Sequence, residues 1–311
     1  MANVEESGGD VEHLLVVIVD LCNAYEISAS SKEHTQALSV KQCLDAVTTF
    51  INSYVLTCHG HSVAVCISHQ AGSQMVYPSS MTSELSADDP RLQNTGKYEP
   101  LVHMNSILCD QVHQVVAKLS SAPADTVSTS TLLSGAISKS LCYIQRQNRE
   151  LLIGRTLNSR ILVVRSSSDS APQYIHTMNC IFAALKNRVP IDSCVLWEDS
   201  GFLQQASDVT GGVYIRTPEP SGLLQYLLWV FLPDPSTRDH LLLPSSVEID
   251  YRAACFCHHK LVDVGFVCSV CLSIFCRSTP ICSMCNTHFK LPSLPTLMKS
   301  KKKKNHKHKG T

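Results

Sequence analysis

The residues best suited to chemistry lie close together near the carboxyl end of the chain. Seven of the fifteen cysteines fall between Cys255 and Cys285, in about a tenth of the length. His258 and His259 lie within the same stretch, and His288 follows it. Thiolates and imidazoles are the preferred ligands of zinc, so this segment predicts a metal-binding module.

Two knuckles give the strongest part of this signal. Cys268 and Cys271 are separated by two residues, and so are Cys282 and Cys285, with ten residues between the pairs. A C-x2-C turn places two thiolates on one ion, and two such turns complete a tetrahedral site. We therefore predict that these four cysteines bind a first zinc ion, although the gap is shorter than the usual ribbon spacing.

A second zinc site is predicted from the remaining ligands, which are Cys255, Cys257, His258 and Cys276. The two sets interleave along the chain, as in a RING-type cross-brace. The alternative is a single zinc ion with the other thiols buried, and His259 or His288 competes with His258 as the eighth ligand. A site closed by four protein ligands leaves no position for water, so zinc hydrolysis is not expected.

The expected cellular compartment favours metal binding by these cysteines over disulfide bonds. Residues 1–10 are polar, with neither the basic nor the apolar region of a signal peptide, and are expected to be disordered. No apolar run reaches the roughly 20 residues that a membrane span needs. The cysteines are therefore expected in a reducing compartment, where clustered thiols more often bind metal.

The basic charge is concentrated at one end. Residues 292–311 form a tail with seven lysines after position 298, and without them 19 basic residues stand against 26 acidic ones. Such a tail is a solvated end, a nuclear localisation signal or a weak phosphate contact. The acidic body argues against a principal role in binding nucleic acid.

Residues 11–235 alternate between strand and helix patterns. Strands are predicted at 14–19, 62–68, 74–78, 160–166, 191–198 and 213–217, and helices at 39–56, 105–119, 128–147, 172–188, 201–209 and 220–232. Hydroxyl residues before position 132 predict a helix N-cap, and Gly211 predicts a helix end. This order predicts a doubly wound, mostly parallel α/β sheet, a loop insertion at 79–100 and a linker at 236–252 before a zinc module at 253–291.

The carboxyl end of the first strand, "DLCNAY", and the later "TGGVY" resemble the von Willebrand factor A fold. That fold often binds Mg²⁺ through an Asp-x-Ser-x-Ser motif, a threonine and a further aspartate. Here Asp20 is present, but Cys22 and Ala24 replace the serines, and an arginine follows the fourth strand. Thr129 or Thr131 is the candidate threonine. The resemblance thus implies a domain that has lost its ion and serves as a protein-binding platform.

Other catalytic motifs are absent from the sequence. It contains no Walker A motif, no G-x-G-x-x-G after a strand, no G-x-S-x-G and no H-E-x-x-H. His59, His61 and His69 flank one predicted strand. A metal cluster is the alternative, but we interpret them as ordinary loop or core histidines. No catalytic residues are predicted, and the chain is not expected to be an enzyme.

The zinc segment carries a second resemblance. "DYRAACFCHHKLVDVGFVCSVCLSIFCRSTPICSMC" before a polylysine end, together with "GLLQYLLWVFLPD", resembles the 34-kilodalton-class subunits (subunit 3) of general transcription factor IIH. This resemblance implies a non-catalytic nuclear subunit that acts in RNA polymerase II transcription and nucleotide excision repair. Its implied main partner is the subunit with a von Willebrand A domain and a RING-type carboxyl end, with indirect contact to helicase subunits and DNA.

Two alternative functions belong to other classes of protein, a ubiquitin ligase and a DNA-binding protein. A RING-type ubiquitin ligase would use the zinc module to hold a conjugating enzyme, but the ligand series lacks the usual Cys-x-His centre. A sequence-tolerant DNA-binding protein would use the module and the tail, and its binding would depend steeply on salt.

Overall fold

The chain forms two compact units in the computed structural model, Met1–Tyr251 and Arg252–Thr311. We call them the sheet unit and, after the zinc sites predicted from its sequence, the zinc module. The structure describes residues 11–20, 40–58, 60–70, 72–78, 99–120, 131–152, 154–170, 173–238, 240–243, 249, 251–258 and 260–289. Cys22, Ala24, His59, Thr129, His259, most of the insertion at 79–100 and the basic tail lie outside these ranges.

One sheet organises the first unit. Its strands are β1 (Val11–Asp20), β2 (His61–His69), β3 (Gly72–Tyr77), β4 (Thr156–Arg165), β5 (Ile191–Val195) and β6 (Tyr214–Arg216), in the order β3-β2-β1-β4-β5-β6. All neighbours pair in parallel except β2 and β3. The predicted doubly wound fold of the von Willebrand factor A type is confirmed, with β3 as an antiparallel edge strand.

The central strand β1 is buried on both faces, as its continuous apolar run predicts. Successive side chains of a strand point to opposite faces, and β1 therefore feeds two separate cores. Leu15, Val17 and Val19 pack in one core, and Leu14, Val16 and Ile18 in the other.

Helices cover both faces of the sheet. They are α1 (Val40–Thr57), α2 (Glu99–Ser120), α3 (Leu133–Glu150), α4 (Tyr174–Lys186) and α5 (Gly201–Thr210). The predicted hydroxyl cap of α3 is wrong, because Leu132 occupies the cap position and makes no side-chain cap bond. The nearby Thr131 hydroxyl instead bonds the Ser167 hydroxyl, 3.1 Å away at the edge of the sheet.

The two glycines of "TGGVY" are needed for different structural reasons. Gly211 ends α5 with a left-handed backbone, φ 75°, which confirms the predicted cap. Gly212 lies against the start of β5, where a Cβ atom would overlap the Ile191 carbonyl group. Thr210 also bonds the Ile191 amide at 2.9 Å. This turn therefore fixes how α5 returns to the sheet.

The segment predicted as one helix at 220–232 is irregular. It consists of a 3-10 turn (Pro220–Gly222), a short helix α6 (Leu223–Tyr226) and a π-helical stretch (Leu227–Phe231). A further turn, α7 (Pro235–Arg238), follows it. Leu227 and Phe231 are completely buried in the core, so packing against the sheet overrides regular helical geometry.

The predicted linker at 236–252 contains residues that belong to the sheet unit. Arg238 is buried and donates two hydrogen bonds to Asp192, at 2.8 and 2.7 Å. Asp192 also accepts the Val213 amide at 2.9 Å. This paired interaction joins α7 to β5.

The zinc module contains little regular structure. Two antiparallel pairs of short strands are formed by β7 (Ala253–Ala254) with β8 (Leu261–Val262), and by β9 (Phe266–Val267) with β10 (Ile274–Phe275). Its buried cluster consists of Cys268, Phe275 and Cys282. A core this small requires another source of stability. Among the described residues, no helix has the length and apolar character to cross a membrane.

Candidate zinc centre and the carboxyl edge of the sheet

The module brings the eight predicted ligands together as two groups. The four-cysteine cluster contains Cys268, Cys271, Cys282 and Cys285, and the three-cysteine cluster contains Cys255, Cys257, His258 and Cys276. Within each group all ligand atoms lie within 4.8 Å of one another. Of the competing histidines, His288 is exposed and belongs to neither group, and His259 lies outside the described residues.

Both knuckles of the four-cysteine cluster are built in the same way. The residue after each second cysteine has a left-handed backbone, at Leu272 (φ 59°) and Asn286 (φ 57°). Each of their amides bonds the carbonyl of the first cysteine of its knuckle at 2.9 Å. These tight turns point both thiols of a knuckle to the same side, as zinc binding requires.

A hydroxyl group supports the second thiol of each knuckle. Ser273 lies 3.0 Å from the Cys271 sulfur, and Thr287 lies 3.1 Å from the Cys285 sulfur. The Ser273 hydrogen bonds lower the pKa of Cys271 to about 6, and those of Thr287 lower the pKa of Cys285. Sequence reasoning missed these two supporting residues, although the repeated C-x2-C-x-[Ser/Thr] pattern was a visible signal.

The sulfur spacing of the four-cysteine cluster fits zinc. Cys268 and Cys285 are 3.6 Å apart, and so are Cys271 and Cys282. With Zn–S bonds of about 2.3 Å, the edge of a tetrahedral site is about 3.8 Å. The pairs join the first cysteine of one knuckle to the second of the other, so one ion at the centre would tie both knuckles together.

The three-cysteine cluster is more compact. His258 Nδ1 lies 3.0 Å from the Cys257 sulfur and 3.3 Å from that of Cys276. The Cys255 and Cys257 sulfurs are 2.6 Å apart, longer than the roughly 2.05 Å of a disulfide. Burial raises the pKa of Cys255, but hydrogen bonds from Cys257, His258 and Cys276 outweigh it and lower the pKa to about 5. Three thiols and one imidazole form a donor set suited to structural zinc.

The carboxyl edge of the sheet has a different character. Asp20, at the end of β1, is fully buried and accepts bonds from the amide and the hydroxyl of Ser167. The guanidinium of Arg165, at the end of β4, has its Nε 3.9 Å from the Asp20 carboxylate. A protein cation therefore lies where the resembling fold often places Mg²⁺.

Arg165 is held in place from several sides. Its Nη1 lies 2.5 Å from the Asp169 carboxylate and 2.9 Å from the Ser200 hydroxyl. Its Nη2 donates to the Ser168 carbonyl at 2.7 Å. Of the candidate threonines, Thr131 contacts this network through Ser167. The guanidinium of Arg165 thus links the ends of β1 and β4 to the start of α5. Because this cation is part of the chain, it cannot dissociate as a bound metal ion can.

Comparison with known proteins covers both units. The family model for transcription factor Tfb4 matches residues 12–286. General transcription and DNA repair factor IIH subunit tfb4 of Schizosaccharomyces pombe is 39% identical over 92% of each chain. The TFB4 subunit of Saccharomyces cerevisiae is 31% identical over 94% of this chain and 91% of its own. The crystal structure of the TFIIH p34 N-terminal domain, 28% identical, covers 71% of this chain and 98% of its own with a TM-score of 0.59.

Proposed function

The chain belongs to the transcription factor Tfb4 family, and on that premise we propose that it is a non-catalytic structural subunit of the general transcription and DNA repair factor IIH core complex. The observation that carries this proposal is the family match across residues 12–286, which spans both units. The relatives are named as subunits of that factor, and we infer the same membership for this chain.

The geometry of the sheet unit supports action through assembly. Enzymes and ion-dependent binders of doubly wound folds use the carboxyl edge of the sheet. Here the charged groups at the ends of β1 and β4 are paired with each other and buried. The edge is thus stabilised internally, which suits a rigid platform for partner subunits.

The zinc module extends this role. We propose that its two clusters bind two zinc ions, with the four-cysteine cluster as the first site and the three-cysteine cluster as the second. Each ion would have four protein ligands, which leaves no open position for a reacting water. The metal would supply stability to a module with a minimal core.

The proposed partners are the other core subunits of factor IIH, above all the subunit with a von Willebrand A domain and a RING-type end. Contact with helicase subunits and DNA would be indirect. We place the chain in the nucleus. Its sheet domain begins at residue 11 and extends past 235 to include Arg238, the module lies at 253–291, and the lysine-rich tail at 292–311 is a localisation signal or a DNA contact.

Affinity purification tests this assignment directly. Tagged full-length chain, recovered from nuclear extract, is expected to bring the core subunits of factor IIH with it in stoichiometric amounts. Recovery without any of these subunits, identified by mass spectrometry, would overturn the proposal. Auto-ubiquitination by the purified chain with a conjugating enzyme would instead support a RING-type ligase.

A further inference from the structure

Three side chains distant in sequence converge at the amino edge of the sheet. His13 of β1 and His61 of β2 are neighbours in the strand register, and Asp234 follows the π-helical stretch. The Asp234 carboxylate has Oδ1 3.9 Å from His13 Nδ1 and Oδ2 3.6 Å from His61 Nε2. This edge is opposite to the Asp20–Arg165 network.

The orientation of His61 is fixed by its surroundings. Its Nδ1 lies 3.0 Å from the Tyr54 carbonyl oxygen, and a carbonyl only accepts, so Nδ1 must carry a proton. The ring also stacks on Tyr54, with centroids 4.4 Å apart at 10°. In neutral His61 the lone pair therefore lies on Nε2 and faces the Asp234 carboxylate.

Two electron-rich atoms facing each other require a cation between them. A proton on His61 would satisfy one imidazole and one carboxylate oxygen. A second imidazole, His13, also converges on the same carboxylate, with its ring centroid 5.2 Å from that of His61. A single proton can be shared by only two of these three groups. Two imidazoles and one carboxylate do match the three protein ligands of many zinc sites.

The neighbouring arginine does not take over this carboxylate. Arg160 Nη2 is 4.0 Å from Asp234 Oδ1, beyond hydrogen-bond distance. Its two terminal nitrogens donate instead to the carbonyls of Pro233 and Leu232, at 3.0 and 3.3 Å. The oxygens of Asp234 thus remain directed at the two histidines.

The site is accessible from outside. A cavity of about 260 Å³ is lined by His13, Asp234, Tyr54 and Arg160, among others. The side chains of His13 and Asp234 are each 25% exposed, whereas that of His61 is 3% exposed. An ion can therefore enter from the cavity, where a fourth ligand such as water would complete the coordination.

We propose that His13, His61 and Asp234 form a third metal site, which binds a divalent transition metal of the zinc type. The His61–Tyr54 hydrogen bond is the kind of supporting contact that orients zinc-bound histidines. Zn–N and Zn–O bonds of about 2.0–2.2 Å place tetrahedral ligand atoms about 3.3–3.6 Å apart. All three ligand atoms lie within 4.8 Å of one another. The 3.6 and 3.9 Å distances run to two different oxygens of Asp234, so ion binding requires the side chains to move inward. The bound ion would link Asp234, which follows the π-helical stretch, to strands β1 and β2.

Cobalt titration tests the site in the full-length protein. The chain is first loaded with zinc, dialysed until elemental analysis finds only the two zinc ions of the cysteine clusters, and then titrated with Co²⁺ alone. Absorption bands of cobalt without a thiolate charge-transfer band report binding to nitrogen and oxygen ligands only. The variants are His13→Gln and Asp234→Asn, and the control is His176→Gln, which alters an exposed histidine of α4.

Wild type and the His176→Gln control are expected to bind about one Co²⁺ per chain with equal affinity, and each site variant at least roughly tenfold more weakly. Circular dichroism establishes that the variants are folded. No saturable cobalt absorption in wild type would overturn the proposal, and it would mean that His61 and Asp234 share a proton only. Equal affinity in wild type and both folded site variants would overturn it as well.

Discussion

Cys271→Ser is expected to remove at least one zinc ion per chain and to unfold the zinc module, while the sheet unit stays folded. In the described part of the module the buried hydrophobic cluster consists of Cys268, Phe275 and Cys282, so metal is expected to supply much of the stability. Structural zinc contributes roughly 10–16 kcal/mol in comparable peptides. The sheet unit has two large cores of its own and is therefore expected to stay folded when the module loses its zinc.

The control for this variant is Cys142→Ser. Cys142 and Cys271 are both exposed thiols, so the same exchange at equal exposure isolates the effect of metal. Elemental analysis gives zinc per chain, limited proteolysis reports the module, and the far-ultraviolet helical signal reports the sheet unit. Unchanged zinc content in Cys271→Ser would contradict the ligand assignment, and collapse of the helical signal would contradict the independence of the two units.

Arg165→Met is expected to lower the free energy of unfolding of the sheet unit by about 3–5 kcal/mol, the usual cost of breaking a buried ion pair from one side. Methionine keeps most of the volume but leaves Asp20 buried without its cation. The variant also removes the hydrogen bonds to Asp169, Ser200 and Ser168. Urea unfolding of the full-length chain, followed by the helical signal, measures the loss.

Arg216→Met provides the matched comparison. Arg216 also pairs with an aspartate, Asp199, at 2.9 Å, but both side chains are about half exposed. Such a pair is worth about 0–1 kcal/mol. Equal losses in the two variants would contradict the structural role of Arg165. A rise in the melting temperature of wild type with Mg²⁺ would show that a divalent ion displaces the arginine.

Patterns that are local in the sequence predicted most of the fold. The apolar run of β1 and the alternation of strands and helices predicted the central sheet, because burial on both faces leaves a continuous apolar signature. The two C-x2-C pairs predicted which cysteines meet, since a knuckle is a local turn. The end of α5 at Gly211 was predicted because a helix end is also a local feature of the chain.

Interactions between distant residues were not predictable from these patterns. Arg238 was assigned to a linker, yet it pairs with Asp192, which is 46 residues earlier. Thr131 was one of the hydroxyl residues predicted to cap α3 and a candidate ion ligand, but its hydroxyl lies 3.1 Å from that of Ser167, which is 36 residues later and follows β4. The sequence showed that Arg165 would oppose the binding of a metal ion at this edge. That its guanidinium takes the place of the ion follows only from its contacts with distant residues.

The central claim is that this chain works by assembly and performs no chemistry. The most direct test reconstitutes the factor IIH core complex with wild-type chain, without it, and with Asp199→Asn or Tyr214→Phe. Asp199 and Tyr214 bond each other at 3.0 Å at the carboxyl edge of the sheet, where a catalytic group would be expected. Promoter opening and lesion incision are measured per assembled complex.

Omission of the chain is expected to impair assembly, and both reactions are expected to decline only as far as assembly does. The two polar variants should assemble normally and support both reactions at the wild-type rate. If either variant assembled normally and yet abolished opening or incision, a polar group of this chain would take part in the chemistry, and the non-catalytic account would be wrong.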